Sequence, residues 1–146
     1  MEINKASQAV ACFRNDFNCA QSVFSTFAEQ HGLDKQVALK ISGAFGGGMA
    51  RMADTCGAVT GALMVIGLKH GKCRAGDDDA KTKTNDLARE FVDRFKAIHY
   101  TIVCRELLGC DIGTELGKQV FHDRNYGETR CEKFVGDAAT ILEEIL

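Results

Sequence analysis

Seven cysteines, Cys12, Cys19, Cys56, Cys73, Cys104, Cys110 and Cys131, are the residues of this 146-residue chain best suited to chemistry. A thiolate attacks disulfides and ligates soft metals, whereas a neutral thiol in an apolar setting is inert packing. What surrounds each cysteine therefore matters more than the count. Four of the seven share a local context. Cys19 follows Asn18, which has Gln21 three residues on, the spacing of a capping box; Cys131 lies inside Thr129-Arg-Cys-Glu132, a full Thr-x-x-Glu box. Cys56 follows the N-cap candidate Thr55, and Cys104 is the third residue after the N-cap candidate Thr101. All four are expected in the first turn of a helix, where unpaired N–H groups and the positive dipole end stabilise an anion and can lower a thiol pKa by one to several units.

The elements that must hold them are read from periodicity. There is no proline, glycine does the punctuating, and apolar residues recur at three and four rather than at two, which predicts an all-α fold. Helices are expected over about 3–13, 18–31 (inner stripe Val23, Phe24, Phe27 and Ala28) and from Asp34 to the glycines at 43–48, carrying Val37, Ala38 and Ile41. A fourth, at about 55–70, is apolar on every side and is expected to be the buried central helix. The fifth, ending near His99, carries Leu87, Phe91, Phe95 and Ile98; short sixth and seventh helices cover 101–109 and 114–122. The eighth runs from Thr129, with Phe134, Ala138, Ile141 and Ile145 on one stripe. The expected architecture is one domain over 1–146, a bundle of seven to eight helices. The four cysteines then start helices two, four, six and eight, so antiparallel packing would bring them to one end of the bundle.

Composition narrows the alternatives. With 45% apolar and 26% charged residues the chain reads as globular, and a cysteine content of seven in 146 is below that of a disulfide scaffold. The count is also odd. The start, Met-Glu-Ile-Asn-Lys-Ala-Ser-Gln, lacks the pattern of a signal peptide, so a cytoplasmic location with reduced thiols is expected. The longest apolar run, residues 57–68, is too short for membrane insertion, and a formal charge of −2 without a basic cluster offers nothing to nucleic acid.

Around Cys56-Gly-Ala-Val-Thr-Gly61 the sequence resembles the C_GCAxxG_C_C family, whose members are described as redox-active. The likeness extends through Asn18-Cys-Ala-Gln-Ser22, Phe45-Gly-Gly-Gly-Met49, Cys104-Arg-Glu-Leu-Leu-Gly109 and the Cys131 segment. The resemblance maps the family's four cysteines onto Cys19, Cys56, Cys104 and Cys131. Family members often carry proline after the last cysteine, where this chain has Glu132. Cys12, Cys73 and Cys110 fall outside the pattern.

Two functions are compatible with these residues. The first is a thiol-based redox protein, an oxidoreductase of thiol/disulfide type if an enzyme, in which some of the four exchange between dithiol and disulfide with a redox partner or electron donor. No C-x-x-C is present, so any pairing joins different helices, and three pairings are open. The second is a module in which the four thiolates hold zinc or an iron–sulfur cluster. Their separations of 37, 48 and 27 residues are unlike a zinc finger's, so that reading needs convergence in space. A homo-oligomer is compatible with either.

Gly46-Gly-Gly48 lacks the lysine of a P-loop and reads as a turn into the fourth helix, forming a wall of the cysteine site. Gly57 and Gly61 read as close-packing positions. Arg51 and Arg105 stand near Cys56 and Cys104 in sequence, where they would favour thiolates.

Overall fold

A computed structural model describes residues 4–146 and contains, among them, eight α-helices and no strand. The expected helix start at Ile3 lies outside the described residues. The helices are α1 (Lys5–Arg14), α2 (Cys19–Ala28), α3 (Lys35–Ile41), α4 (Gly57–His70), α5 (Asp78–His99), α6 (Cys104–Leu108), α7 (Glu115–Asp123) and α8 (Glu132–Ile145). A 3₁₀ turn, Glu29–His31, extends α2 to Gly32, whose φ of 84° lets the chain reverse where a Cβ would be strained. Asn4, Asn18, Asp34, Asp77 and Thr114 each cap a helix by accepting from a backbone N–H two or three residues on.

The buried apolar residues form one continuous core, fed mainly by α2, α4, α5 and α8. No residue of α4 from 57 to 68 is exposed, and the helix packs on α2, α5 and α8. Gly61 explains how α2 approaches so closely. A Cβ there would lie 2.7 Å from the carbonyl oxygen of Ala20, and one at Gly57 would lie 3.0 Å from the Ala20 nitrogen. The two glycines let Cys19 and Ala20 rest directly on the start of α4.

Two expected stripes are corrected. On α3 only Ala38 is buried, while Val37 and Ile41 are exposed, because the short helix presents a single residue to α2. On α5 the inner face runs Phe91, Phe95, His99 rather than ending on Ile98, which is exposed. His99 takes that place because its ring packs between Phe95 and Phe134, and its Nε2 lies 2.8 Å from Asp137 Oδ2.

Candidate functional site

The capping box on Asn18 positions Cys19. Asn18 Oδ1 accepts from the Gln21 N–H at 2.9 Å and Gln21 Oε1 accepts from the Asn18 N–H at 3.0 Å. The same two side chains donate onward to the carbonyls of Gly43 and Leu39, fixing the start of α2 against the end of α3.

Cys56 and Cys104 are held as a pair. The Cys56 N–H donates to Ile102 O at 2.7 Å, the Cys104 N–H donates to Asp54 O at 2.6 Å, and Thr55 bridges Val103 in antiparallel fashion. The segment entering α4 thus lies alongside the segment entering α6. This corrects two expected caps. Cys56 itself, not Thr55, is the N-cap residue of α4, and Val103, not Thr101, is that of α6, which makes Cys104 its first residue. Thr101 Oγ1 instead accepts from the Val103 N–H, because the bridge has taken its segment into an extended conformation.

Cys131 differs most from expectation. The Thr129–Glu132 box does not form: Thr129 Oγ1 donates to Asn125 O, and the Glu132 carboxylate takes a bidentate pair from Arg14 at 2.8 and 3.0 Å. Cys131 closes a π-helical turn, Gly127–Cys131, that runs without a break into α8. Wide turns of this kind are frequent at functional sites.

All four thiols line one cavity of about 360 Å³, together with Phe13, Phe17, Leu107, Leu108, Ile112, Phe121 and Phe134. Gly47, Gly48 and Gly57 complete its backbone wall, and Arg51 and Asp16 supply charge. The convergence drawn from helix parity is thus present, although three of the four local caps differ from the expected ones. Residual exposure is 9% for Cys19, 4% for Cys56, 7% for Cys104 and 8% for Cys131.

Burial outweighs the helix starts in setting protonation. Desolvation pushes Cys56 up to about 12, although the Ala58 and Val59 amides act the other way. Cys104 is likewise pushed up to about 12 by burial and by Cys56, Cys131 and Cys110, with Arg51 opposing. Cys19 is raised well above an ordinary thiol, first by the neighbouring Cys131 and then by burial. Cys131 alone of the four is lowered: the neighbouring Cys19 favours its thiolate form, and the guanidinium groups of Arg130 and Arg51 add to the effect against burial. The anion-stabilising setting is therefore at Cys131, which closes the π-helical turn ahead of α8.

Arg51 reaches the cavity by an unusual backbone route. Gly47, Gly48, Met49, Ala50 and Arg51 all have φ between 52° and 73°, a left-handed turn that costs a non-glycine residue about 1–2 kcal/mol. Hydrogen bonds from the N–H groups of Ala50, Ala53 and Asp54 back to Ala44, Gly47 and Gly48 hold it. Strain of this sort clusters at functional sites. Arg105 supports the turn from behind, donating to Ala53 O at 3.2 Å, rather than facing a thiol. Arg130 lies over the Tyr126 ring and donates to the carbonyls of Leu107 and Leu108. Neither its part nor the aromatic lining is signalled in the sequence, since both depend on residues far apart in the chain.

The other cysteines stay outside. Cys12 is half-buried with its sulfur 3.7 Å from Ser25 Oγ, Cys73 is exposed, and Cys110 is half-buried off the cavity lining. No disulfide is formed. Among the described residues, no group of three or more His, Cys, Asp or Glu side chains is arranged to hold a metal ion. No helix among them is long and apolar enough to cross a membrane.

Fold and site together define an all-helical protein with four buried thiols around an apolar, arginine-edged cavity. The chain belongs to the C_GCAxxG_C_C family, whose model, described as "Putative redox-active protein (C_GCAxxG_C_C)", matches residues 17–145. No match was found among curated proteins or among solved structures.

Proposed function

We propose that this chain is a thiol–disulfide redox protein whose working pair is Cys131 and Cys19. The observation that carries the reading is that Cys19 and Cys131 line one cavity, each the strongest influence on the other's proton, with Cys131 shifted toward the thiolate and Cys19 toward the thiol. That asymmetry is what a nucleophile and a resolving thiol require. Cys131 attacks a bound oxidant, Cys19 then attacks Cys131, and the two close a disulfide. Cys56 and Cys104, neutral and buried, complete the wall and offer a second pair.

Thiol labelling of the reduced and the oxidised protein, read by peptide mass mapping, tests this. Oxidation should remove Cys19 and Cys131 together and leave Cys12 and Cys73 free; redox cycling that leaves the Cys19 and Cys131 thiols unchanged overturns it.

A second reading, a zinc or iron–sulfur module on Cys19, Cys56, Cys104 and Cys131, draws on their shared cavity, although no three or more ligands among the described residues are arranged to hold a metal ion. Anaerobic purification followed by metal analysis and a visible spectrum distinguishes the two. Stoichiometric iron or zinc favours the module, and a colourless, metal-free protein with reactive thiols favours exchange.

A further inference from the structure

The question left by a buried dithiol is what can reach it. A disulfide on the surface of another protein must bring one sulfur in line with the attacking thiolate, yet Cys131 is 8% exposed and Cys19 9%. The cavity they line, about 360 Å³, falls in the ~300–1,000 Å³ range of small-molecule sites and is walled by Phe13, Phe17, Phe121 and Phe134. Its charge is uneven. The exposed Arg51 edges it without a hydrogen bond or ion pair to any carboxylate among the described residues. It acts electrostatically on Cys104 and Cys131. Asp16, the one carboxylate on the lining, perturbs none of the four thiols.

We infer that the oxidant taken by this site is a small organic disulfide bearing a carboxylate a few bonds from its sulfurs, seated with that carboxylate on Arg51. The inference rests on the dithiol reading above. The Cys131 thiolate attacks one sulfur of R–S–S–R, forming Cys131–S–S–R and releasing RS⁻. Arg51 favours this leaving anion as well as the bound carboxylate. The Cys19 thiol then gives up its proton and attacks the Cys131 sulfur, forming the Cys19–Cys131 disulfide and expelling the second RS⁻. Two protein thiols are oxidised and one disulfide is reduced to two thiols, so electrons and protons balance.

Three aliphatic disulfides of similar length test the charge preference: 3,3′-dithiodipropionate (anionic), 2-hydroxyethyl disulfide (neutral) and cystamine (cationic). Single-turnover oxidation of the reduced protein by each is followed by quenched-flow mass spectrometry, with rates normalised to those of free 2-mercaptoethanol. The anionic compound should lead the cationic one by about tenfold, the scale of one close charge pair near a protein surface. Arg51→Gln should collapse that ratio to within about threefold and Arg51→Lys should retain it. Because the readout is a ratio between substrates, a general loss of reactivity does not imitate it, and a circular-dichroism melt of each variant excludes unfolding, which would also flatten the ratio. A flat or inverted order, a ratio unmoved by Arg51→Gln, or reduction of insulin disulfides as fast as of dithiodipropionate overturns the inference while leaving dithiol exchange intact. If none of the three oxidises Cys19 and Cys131, the dithiol reading itself falls.

Discussion

Cys19 and Cys131, 112 residues apart in the chain, line the same cavity and shift each other's protonation in opposite directions, Cys131 toward the thiolate and Cys19 toward the thiol. The asymmetry comes from their neighbours. Each is the first cause of the other's shift; Cys131 is lowered further by Arg130 and Arg51, whereas Cys19 is raised further by burial and by Cys56 and Cys104.

On the dithiol reading proposed above, Cys131 attacks first. In a Cys19→Ser variant the first step still occurs but nothing resolves it, so a mixed disulfide with the oxidant should accumulate on Cys131, seen as a mass adduct on that peptide. A Cys131→Ser variant should form no such adduct on Cys19. The reverse pattern would exchange the two roles.

The lowered pKa of Cys131 gives a pH profile. Its alkylation by iodoacetamide should rise with a midpoint below the ordinary ~8.5 of a free thiol. Cys56 and Cys104, pushed up to about 12, should stay protected throughout the range in which the protein is folded. Arg51→Gln should move the Cys131 midpoint upward. Per-residue rates by mass spectrometry from pH 6 to 10 decide this.

Alkaline conditions should destabilise the fold through Cys56 and Cys104. In the unfolded chain both ionise near ~8.5, whereas the native state holds their protons to about 12. Between those values the native state binds more protons, so the stability these thiols contribute is fully present below ~8.5 and is lost as pH rises. The slope is at most about 1.4 kcal/mol per pH unit for each thiol. Urea unfolding at pH 7.5, 9 and 10 should show the decline, and the double variant Cys56→Ala, Cys104→Ala should lower the slope.

Gly61→Ala places a Cβ 2.7 Å from Ala20 O, a backbone atom that yields only if α2 moves away from α4. A cost of about 1–3 kcal/mol is expected, as for overpacking elsewhere. Because Cys19 begins the displaced helix, its influence on Cys131 should weaken and the Cys131 alkylation midpoint should rise. Denaturant titration and the alkylation profile of the same variant check both effects. Gly67→Ala is the control, since nothing lies within 4 Å of a Cβ there.

Much of this architecture was legible in the chain. Capping signals at Asn18, Asp34 and Thr114, glycine stops at Gly32 and Gly109, and apolar spacing on α2 and α8 are local, so they place helices correctly without tertiary information. The resemblance and the capping pattern picked out the same four cysteines. Local signals failed where long-range contacts compete with them. Thr55 and Thr101 gave up their cap positions to an antiparallel bridge, and Thr129 gave up its box when Glu132 paired with Arg14.

The sequence by itself determined an all-helical chain and which cysteines to watch, because turns, caps and periodicity are written within a few residues of one another. Which of those thiols is the anion was decided only by the tertiary structure. Helix starts alone would have favoured thiolates at all four. Cys131 and then burial raise Cys19, and burial raises Cys56 and Cys104, which leaves Cys131, favoured by Cys19, by Arg130 and by an Arg51 carried on a left-handed turn, as the one lowered thiol of the four. Burial and charge proximity are properties of the folded assembly of distant segments, and no spacing in the chain encodes them directly.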